Sequence, residues 1–120
     1  MSIEDVRDYA LTLGCVTEEL FAENWICFRI GGKWFLLIQL DAPEPRIAVK
    51  LPPETGSALR EEFAGVQPAY HMNKVHWNDL YLDMLEDGFV REQIRRSYDL
   101  VVGKLPKTVR RQIDSGEIKE

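Results

Sequence analysis

A glycine pair, Gly31-Gly32, separates two runs that are apolar at almost every position, WICFRI (25–30) and KWFLLIQL (33–40). Glycine tolerates the positive φ that both central positions of a tight two-residue turn require, so the spacing predicts a β-hairpin. A straight register through that turn sets Phe28 opposite Phe35 and Ile26 opposite Leu37 on one face. Trp25 then lies with Ile38, and Cys27 with Leu36, on the other. Both faces of such a hairpin are apolar, and each requires at least partial cover. A chain carrying this segment must build a sheet and bring other elements onto it.

The flanking sequence supplies them. Ile3, Val6, Ala10 and Leu13 recur at helical spacing, with Ser2 as N-cap and Gly14 as the stop. Residues 46–51 alternate, placing Ile47, Val49 and Leu51 inward and Arg46, Ala48 and Lys50 outward, and the prolines of 41–45 make that stretch a loop. Pro52-Pro53 opens a short helix to about residue 64, in which Leu59 and Phe63 form an i, i+4 pair. An extended piece over 69–72 and a strand over 76–82 follow. Val90, Ile94, Tyr98, Val101, Val102 and Leu105 then form the apolar stripe of a helix of about sixteen residues ended by Pro106, with a basic turn or short helix beyond it. The expected order is α-β-β-β-α-β-β-α. Strands are clustered rather than alternating with helices, which makes this an α+β domain with an antiparallel sheet and flanking helices. It spans residues 1–113 as one domain, with 114–120 as a frayed tail.

At 120 residues, 45% of them hydrophobic, the chain can bury an ordinary core without a metal or disulfide staple. No apolar run approaches the ~20 residues of a membrane span. The start, MSIEDVRDYALTLG, is acidic and amphipathic where a secretory signal has a basic end and an apolar centre, so a cytoplasmic location without membrane contact is expected. Cys15 and Cys27, twelve residues apart and in no CxxC pair, fit buried reduced thiols.

No catalytic constellation is legible, and the expectation is a protein that is not an enzyme and carries no cofactor. Ser2, Ser57, Ser97 and Ser115 stand in no G-x-S-x-G elbow, and Gly31-Gly32 lacks the strand-loop-helix setting of a phosphate cradle. A dyad of Cys15 or Cys27 with a histidine is left open. His71 and His76, the two histidines, flank a turn and form the one candidate metal or small-molecule site, without an HExxH pattern or a second ligand pair. Glu4, Asp5, Asp8, Glu18 and Glu19 read as a solvated helix face, with weak cation binding as the alternative.

The net charge of −5 hides an asymmetry. Residues 1–90 carry seven Lys/Arg against fifteen Asp/Glu, whereas residues 91–111 carry seven against two. Arg91, Arg95, Lys104, Lys107, Arg110 and Arg111 are therefore candidate phosphate contacts. A solvated helix face accounts for the same residues, with Glu92 pairing Arg96, Arg95 pairing Asp99 and a basic end favoured by the helix dipole. Tyr70, Trp77 and Tyr81, interleaved with Lys74 and His76, suit base stacking or cross-strand packing.

Two segments, PAYHMNKVHWNDLYLD (68–83) and SYDLVVGKLPKTVR (97–110), together with the WICFRIGGKWFLLI hairpin, resemble the MmcQ/YjbR family over nearly the whole domain. The resemblance implies an α+β domain similar in outline to frataxin-like (CyaY-like) proteins. It also implies a DNA-binding label that rests on a "double wing" architecture, and it brings no catalytic residue or cofactor. Asn73, Lys74, His76 and Trp77 match the first motif; Tyr98, Lys104, Leu105, Pro106 and Lys107 match the second. Tyr98, Leu105 and Trp77 then read as structural, and Lys74, His76, Lys104 and Lys107 as functional. The resulting expectation is a weak, sequence-tolerant nucleic-acid-binding module, with DNA as partner. The alternative is a protein-interaction or scaffold domain using the acidic first helix or the apolar sheet face around Trp25 and Trp34. A monomer is expected.

Overall fold

The computed structural model describes residues 1–69 and 72–115. Gly31 and Gly32 reverse the chain with φ of 57° and 80°, between β2 (Trp25–Ile30) and β3 (Lys33–Gln39). Around this hairpin the elements run α1 (Ile3–Thr12), β1 (Val16–Phe21), β2, β3, β4 (Arg46–Lys50), α2 (Pro53–Glu62), β5 (Val66–Pro68), β6 (Trp77–Tyr81), a 3-10 turn (Leu82–Met84), α3 (Asp87–Gly103) and α4 (Lys107–Ser115). The sheet has six strands in the order β1-β2-β3-β4-β6-β5, every pairing antiparallel. This is the expected α+β architecture, with one strand added ahead of the hairpin and α4 realising the basic segment after α3. No helix among the described residues is long and apolar enough to cross a membrane.

The added strand, β1, escapes sequence patterning because it is an edge. Beyond Val16 its residues are exposed or half-exposed, so no apolar alternation is required of them. Glu18 and Glu19 therefore stand on β1 and not on the acidic face of α1, where Glu4, Asp5 and Asp8 remain. Glu18 meets Arg7 of α1, and Glu19 accepts from Arg29 of β2 at 2.7 Å. Ser2 caps α1 as expected: its hydroxyl accepts the Asp5 N–H and the Asp5 carboxylate accepts the Ser2 N–H. That backbone N–H, helped by the hydroxyl, holds the Asp5 carboxyl below its ordinary value. A strand forms just ahead of the extended piece expected over 69–72, as β5, and residues 70 and 71 of that piece lie outside the described residues.

The hairpin register differs from a straight ladder. Arg29 pairs with Trp34, yet Phe28 pairs with Leu36, which leaves Phe35 without a counterpart on β2. Phe35 is a β-bulge. From there to the open end the partners shift by one, giving Cys27 with Leu37, Ile26 with Ile38 and Trp25 with Gln39. Phe35 and Leu36 both enter the main core, beside Phe28, Ile30, Ile38, Ile47, Val49 and Leu80 and under Val90, Ile94 and Tyr98 of α3. Trp34 and Leu37 go to the other face, where Cys27, Leu37, Ala48, Ala69 and Trp77 form a second cluster flanked by Trp25, Trp34 and Met72.

Ser97 of α3, fully buried, fits the bulge. Its hydroxyl donates to the Phe35 carbonyl at 2.5 Å and accepts the Lys50 N–H of β4 at 2.8 Å. The β3–β4 ladder runs through Leu36 with Val49, so Phe35 and Lys50 are the next residues along it. The serine supplies the partners that the distorted ladder does not. Two motif residues have the structural roles anticipated for them. The buried Tyr98 phenol donates to the Gly14 carbonyl at 2.6 Å, and burial pushes the phenol's pKa up. Leu105 packs against the Gly31 turn. α4 takes in Asp114 and Ser115, the first residues of the segment expected to fray, and 116–120 lie outside the described residues.

Two outcomes follow for stability. Ser97→Ala strands a buried N–H and a buried carbonyl, and should cost about 2–4 kcal/mol in urea unfolding. A loss under about 0.5 kcal/mol would remove Ser97 from this role. At the turn, a Cβ on Gly31 would stand 2.6 Å from Leu105 Cδ1, whereas one on Gly32 meets nothing within 4 Å. Gly31→Ala should therefore destabilise clearly more than Gly32→Ala, which bears only the positive-φ strain of about 1 kcal/mol. Leu105→Ala should shrink the difference.

Candidate functional site

The basic residues divide by helix. On α3, Arg95 meets the Asp99 carboxylate at 3.2 Å with its guanidinium 5.6 Å from the Tyr98 ring centre, and Arg96 meets Glu92 at 3.0 Å. These are the i, i+4 pairs anticipated from sequence, and they leave Arg95 half-neutralised. Arg91, one turn earlier, is exposed, and its charge acts on the Asp5 carboxylate of α1. Lys104 is the exposed C-cap of α3. On α4, Lys107, Arg110 and Arg111 fall at i, i+3 and i+4 and share one shallow depression with Asp114. Ile113 of the same helix packs on the main core, and Arg110 beside it is half-buried. None of Lys104, Lys107, Arg110 and Arg111 is in an ion pair among the described residues.

The remaining candidates sit elsewhere. Lys74 lies in the turn before β6 and borders a depression with Glu44, Arg46, Asp79 and Tyr81 on the sheet face away from α3. His76 is half-buried; its carbonyl accepts the Leu51 N–H at 2.8 Å, and its Nδ1 is buried without a partner among the described residues. His71 and Tyr70 lie outside the described residues, and among the described ones no three His, Cys, Asp or Glu gather as metal ligands. Of the aromatic trio suggested for stacking, Trp77 is buried in the second cluster and Tyr81 carries Arg46, its guanidinium 5.7 Å from the ring centre. The eight candidate residues are thus not one surface. The structure brings together Lys107, Arg110 and Arg111, with Lys104 three positions ahead.

A second feature was only half legible. The face away from the helices, which the sequence marks as apolar around Trp25 and Trp34, is hollowed into a groove of about 330 Å³. Phe21, Trp25, Trp34 and Met72 form its walls, with Cys27 and Leu37 on the buried side. Phe21 stands edge-on to Trp34 at 5.5 Å. Arg29 lies 5.2 Å from the Trp34 ring centre, held by Glu19 and by the Gly32 carbonyl at 3.0 Å. The amides of Asn24 and Gln39 at the rim both donate to Asp41, at 2.9 and 3.1 Å, and the Gln39 carbonyl accepts from Arg46 at 2.9 Å. Among the described residues no charged side chain lines the groove. The missing sequence signal was β1, which contributes Phe21, and the turn after it, where Ala22 and Glu23 take φ of 52° and 68°.

The groove contains a thiol that is not a nucleophile. Burial pushes Cys27 from an ordinary 9.0 up to about 11, so it remains protonated at neutral pH. A raised thiol pKa means the folded state favours the protonated form. Its stabilising effect is full below pH 9.0 and is lost as pH rises towards 11. Iodoacetamide should therefore leave Cys27 unmodified in the folded protein at pH 7.5. Between pH 9 and 11 the wild-type chain should lose urea resistance more steeply than Cys27→Ala; parallel curves would show that Cys27 does not titrate abnormally.

The family model described as YjbR matches residues 11–100. The uncharacterized protein YjbR of Escherichia coli K12 is 32% identical over 114 residues, covering 92% of this chain and 96% of that protein. The uncharacterized protein YbdF of Escherichia coli O157:H7 is 31% identical over 97 residues, 80% of each. Among solved structures, Deinococcus radiodurans protein DR2400, described as a DUF419 domain, superposes with a TM-score of 0.88 at 27% identity, covering 94% of this chain and 88% of that one. A Pseudomonas syringae protein gives 0.72 at 27% identity, covering 83% and 98%.

Proposed function

The chain belongs to the YjbR family, and from that premise we propose that it is a non-enzymatic, weak and sequence-tolerant nucleic-acid-binding module whose phosphate contacts come from its C-terminal helix. The observation that carries this reading is the α4 stripe. Lys107, Arg110 and Arg111 share one face of a surface helix with Lys104 just ahead, Arg110 half-buried and the other three exposed, and none of the four is in an ion pair among the described residues. Long-range attraction between such a stripe and a phosphate backbone releases counterions and needs no base contact. Asp114 at the end of the stripe and the acidic bulk of the chain weaken the field, which accords with low affinity. Arg95 makes at most a minor contact because binding phosphate would mean giving up Asp99.

The non-enzymatic part is supported by three side chains that are already engaged or inert. Ser97 is bonded to two backbone groups, Ser2 caps α1 and the Cys27 thiol is held protonated.

Fluorescence anisotropy of labelled duplex and single-stranded DNA at 50 and 200 mM salt tests the reading. Four phosphate contacts should lower affinity roughly 150-fold across that interval. Arg110→Gln with Arg111→Gln should reduce the log–log salt slope by about two. Neutralising Arg95 should change it by less than half a unit. Absence of binding at 50 mM salt with ~100 μM protein, or an unchanged slope in the double variant, overturns the assignment.

A further inference from the structure

The sheet brings one more cation to the α4 stripe. Leu105, one position after Lys104, packs on Gly31, so the hairpin turn and the α3–α4 corner share one end of the molecule. Lys33 closes the turn opposite Ile30, and residues directly opposite in an antiparallel ladder project to the same face. Ile30 is buried in the main core under α3, which places the exposed Lys33 on the helix-bearing side, while Trp34 goes to the other. Lys33 is in no ion pair among the described residues. Arg29, the other cation near the turn, is held by Glu19 and by the Gly32 carbonyl at 3.0 Å. On the premise that α4 binds nucleic acid, we propose that Lys33 and the α4 stripe form one phosphate-binding surface, and that its partner is a double helix and not a single strand.

Two observations select the double helix. Proteins that hold single strands add base stacking on exposed aromatic rings to their phosphate contacts. Among the described residues Phe21 is the one exposed aromatic side chain, and it stands edge-on to Trp34 on the face away from the helices. On the helix side Tyr9, Phe63 and Phe89 are packed against the core, and the Tyr98 phenol is engaged by the Gly14 carbonyl. A surface that offers cations alone gains most from charge density. A duplex presents one phosphate per about 1.7 Å of axis, a single strand one per about 3.4 Å. The second observation is rigidity. Lys33 flanks a two-residue turn and Lys104 caps α3, and the Leu105–Gly31 contact joins the two. Cations fixed in this way suit the fixed phosphates of a double helix, which has little ordering entropy to lose on meeting them.

The test titrates the full chain, by fluorescence anisotropy at about 50 and 200 mM salt, into a short labelled DNA duplex, the single strand of the same sequence and an RNA duplex of the same length. Five contacts should lower duplex affinity roughly 500-fold across that interval, against roughly 150-fold for Lys104 and α4 alone. Lys33→Gln should return the fall to roughly 150-fold, and Lys33→Arg should keep it at roughly 500-fold. Added to Arg110→Gln with Arg111→Gln, Lys33→Gln should lower the log–log slope by about one more, as one partner touching both elements requires. The preferred duplex should bind about 10-fold more tightly than the single strand at the lower salt, and the two duplexes identify which backbone, DNA or RNA, supplies the phosphates. Lys33 is exposed, so its variants should unfold at the wild-type temperature. Wild-type protein that binds no probe overturns the α4 premise itself. Binding whose slope falls in the α4 double variant but not in Lys33→Gln overturns the hairpin-tip surface and leaves α4 standing. A single strand bound as tightly as the duplexes overturns the double-helix partner.

Discussion

The Ser97 hydroxyl, wedged between the Phe35 carbonyl and the Lys50 N–H, is the contact on which the arrangement of this sheet depends. A β-bulge leaves ladder groups unpaired, and an unpaired group in a dry core costs more than most side-chain contacts return. By meeting both groups, one serine from α3 makes the bulge at Phe35 tolerable and fixes the helix on the sheet. The bulge then decides which residues face which way. It gives Phe35 and Leu36 to the core under α3, and sends Trp34 and Leu37 to the opposite face. In a straight ladder Leu36 and Ile38 would share the face of Trp34, Trp25 and Cys27; the bulge puts Leu37 there instead.

The two faces consequently have different characters. On the helix side the apolar residues are consumed by packing, and charge is left for the outer surfaces of α3 and α4. There, pairing separates the basic residues: Arg95 and Arg96 spend their charge within the helix, whereas Lys107, Arg110 and Arg111 are in no ion pair among the described residues. On the other side, among the described residues, no helix covers the sheet at its β1–β3 end, and Trp25, Trp34 and Phe21 border a groove lined by no charged side chain. Phosphates at α4 and bases in the groove could not belong to one short strand of nucleic acid, since the sheet lies between them. The family relationship is consistent with the shared architecture of DR2400 and does not choose between the two surfaces.

Much of this was legible before any tertiary information. The Gly31-Gly32 turn, the alternation of Ile47, Val49 and Leu51, the capping by Ser2 and the stripe from Val90 to Leu105 each carry a local physical signal, and each appears where that signal placed it. The pairs Glu92–Arg96 and Arg95–Asp99 followed from helical spacing alone. The i, i+3, i+4 spacing of Lys107, Arg110 and Arg111 holds the information that they share a face of α4. What escaped was non-local. β1 is an edge strand whose acidic residues show no periodicity, and it exists because β2 offers it a ladder. The hairpin register also escaped, since a bulge is one residue's displacement and nothing in KWFLLIQL announces it.

The sequence by itself determined the class of fold, the apolar demand of the hairpin and the concentration of positive charge near the C-terminus, because turn chemistry, hydrophobic period and charge are properties of neighbouring residues. Only the tertiary structure decided which of those residues act together. Ser97 and Phe35 are sixty-two positions apart, and their hydrogen bond sits at the bulge that turns Leu37 rather than Leu36 to the face of Trp34. Phe21, Trp34 and Met72 become walls of one groove only when four strands and a connecting turn are assembled. A hydrogen bond or a cavity wall formed between distant segments leaves no mark on either segment alone, so that part of the protein exists only in the folded chain.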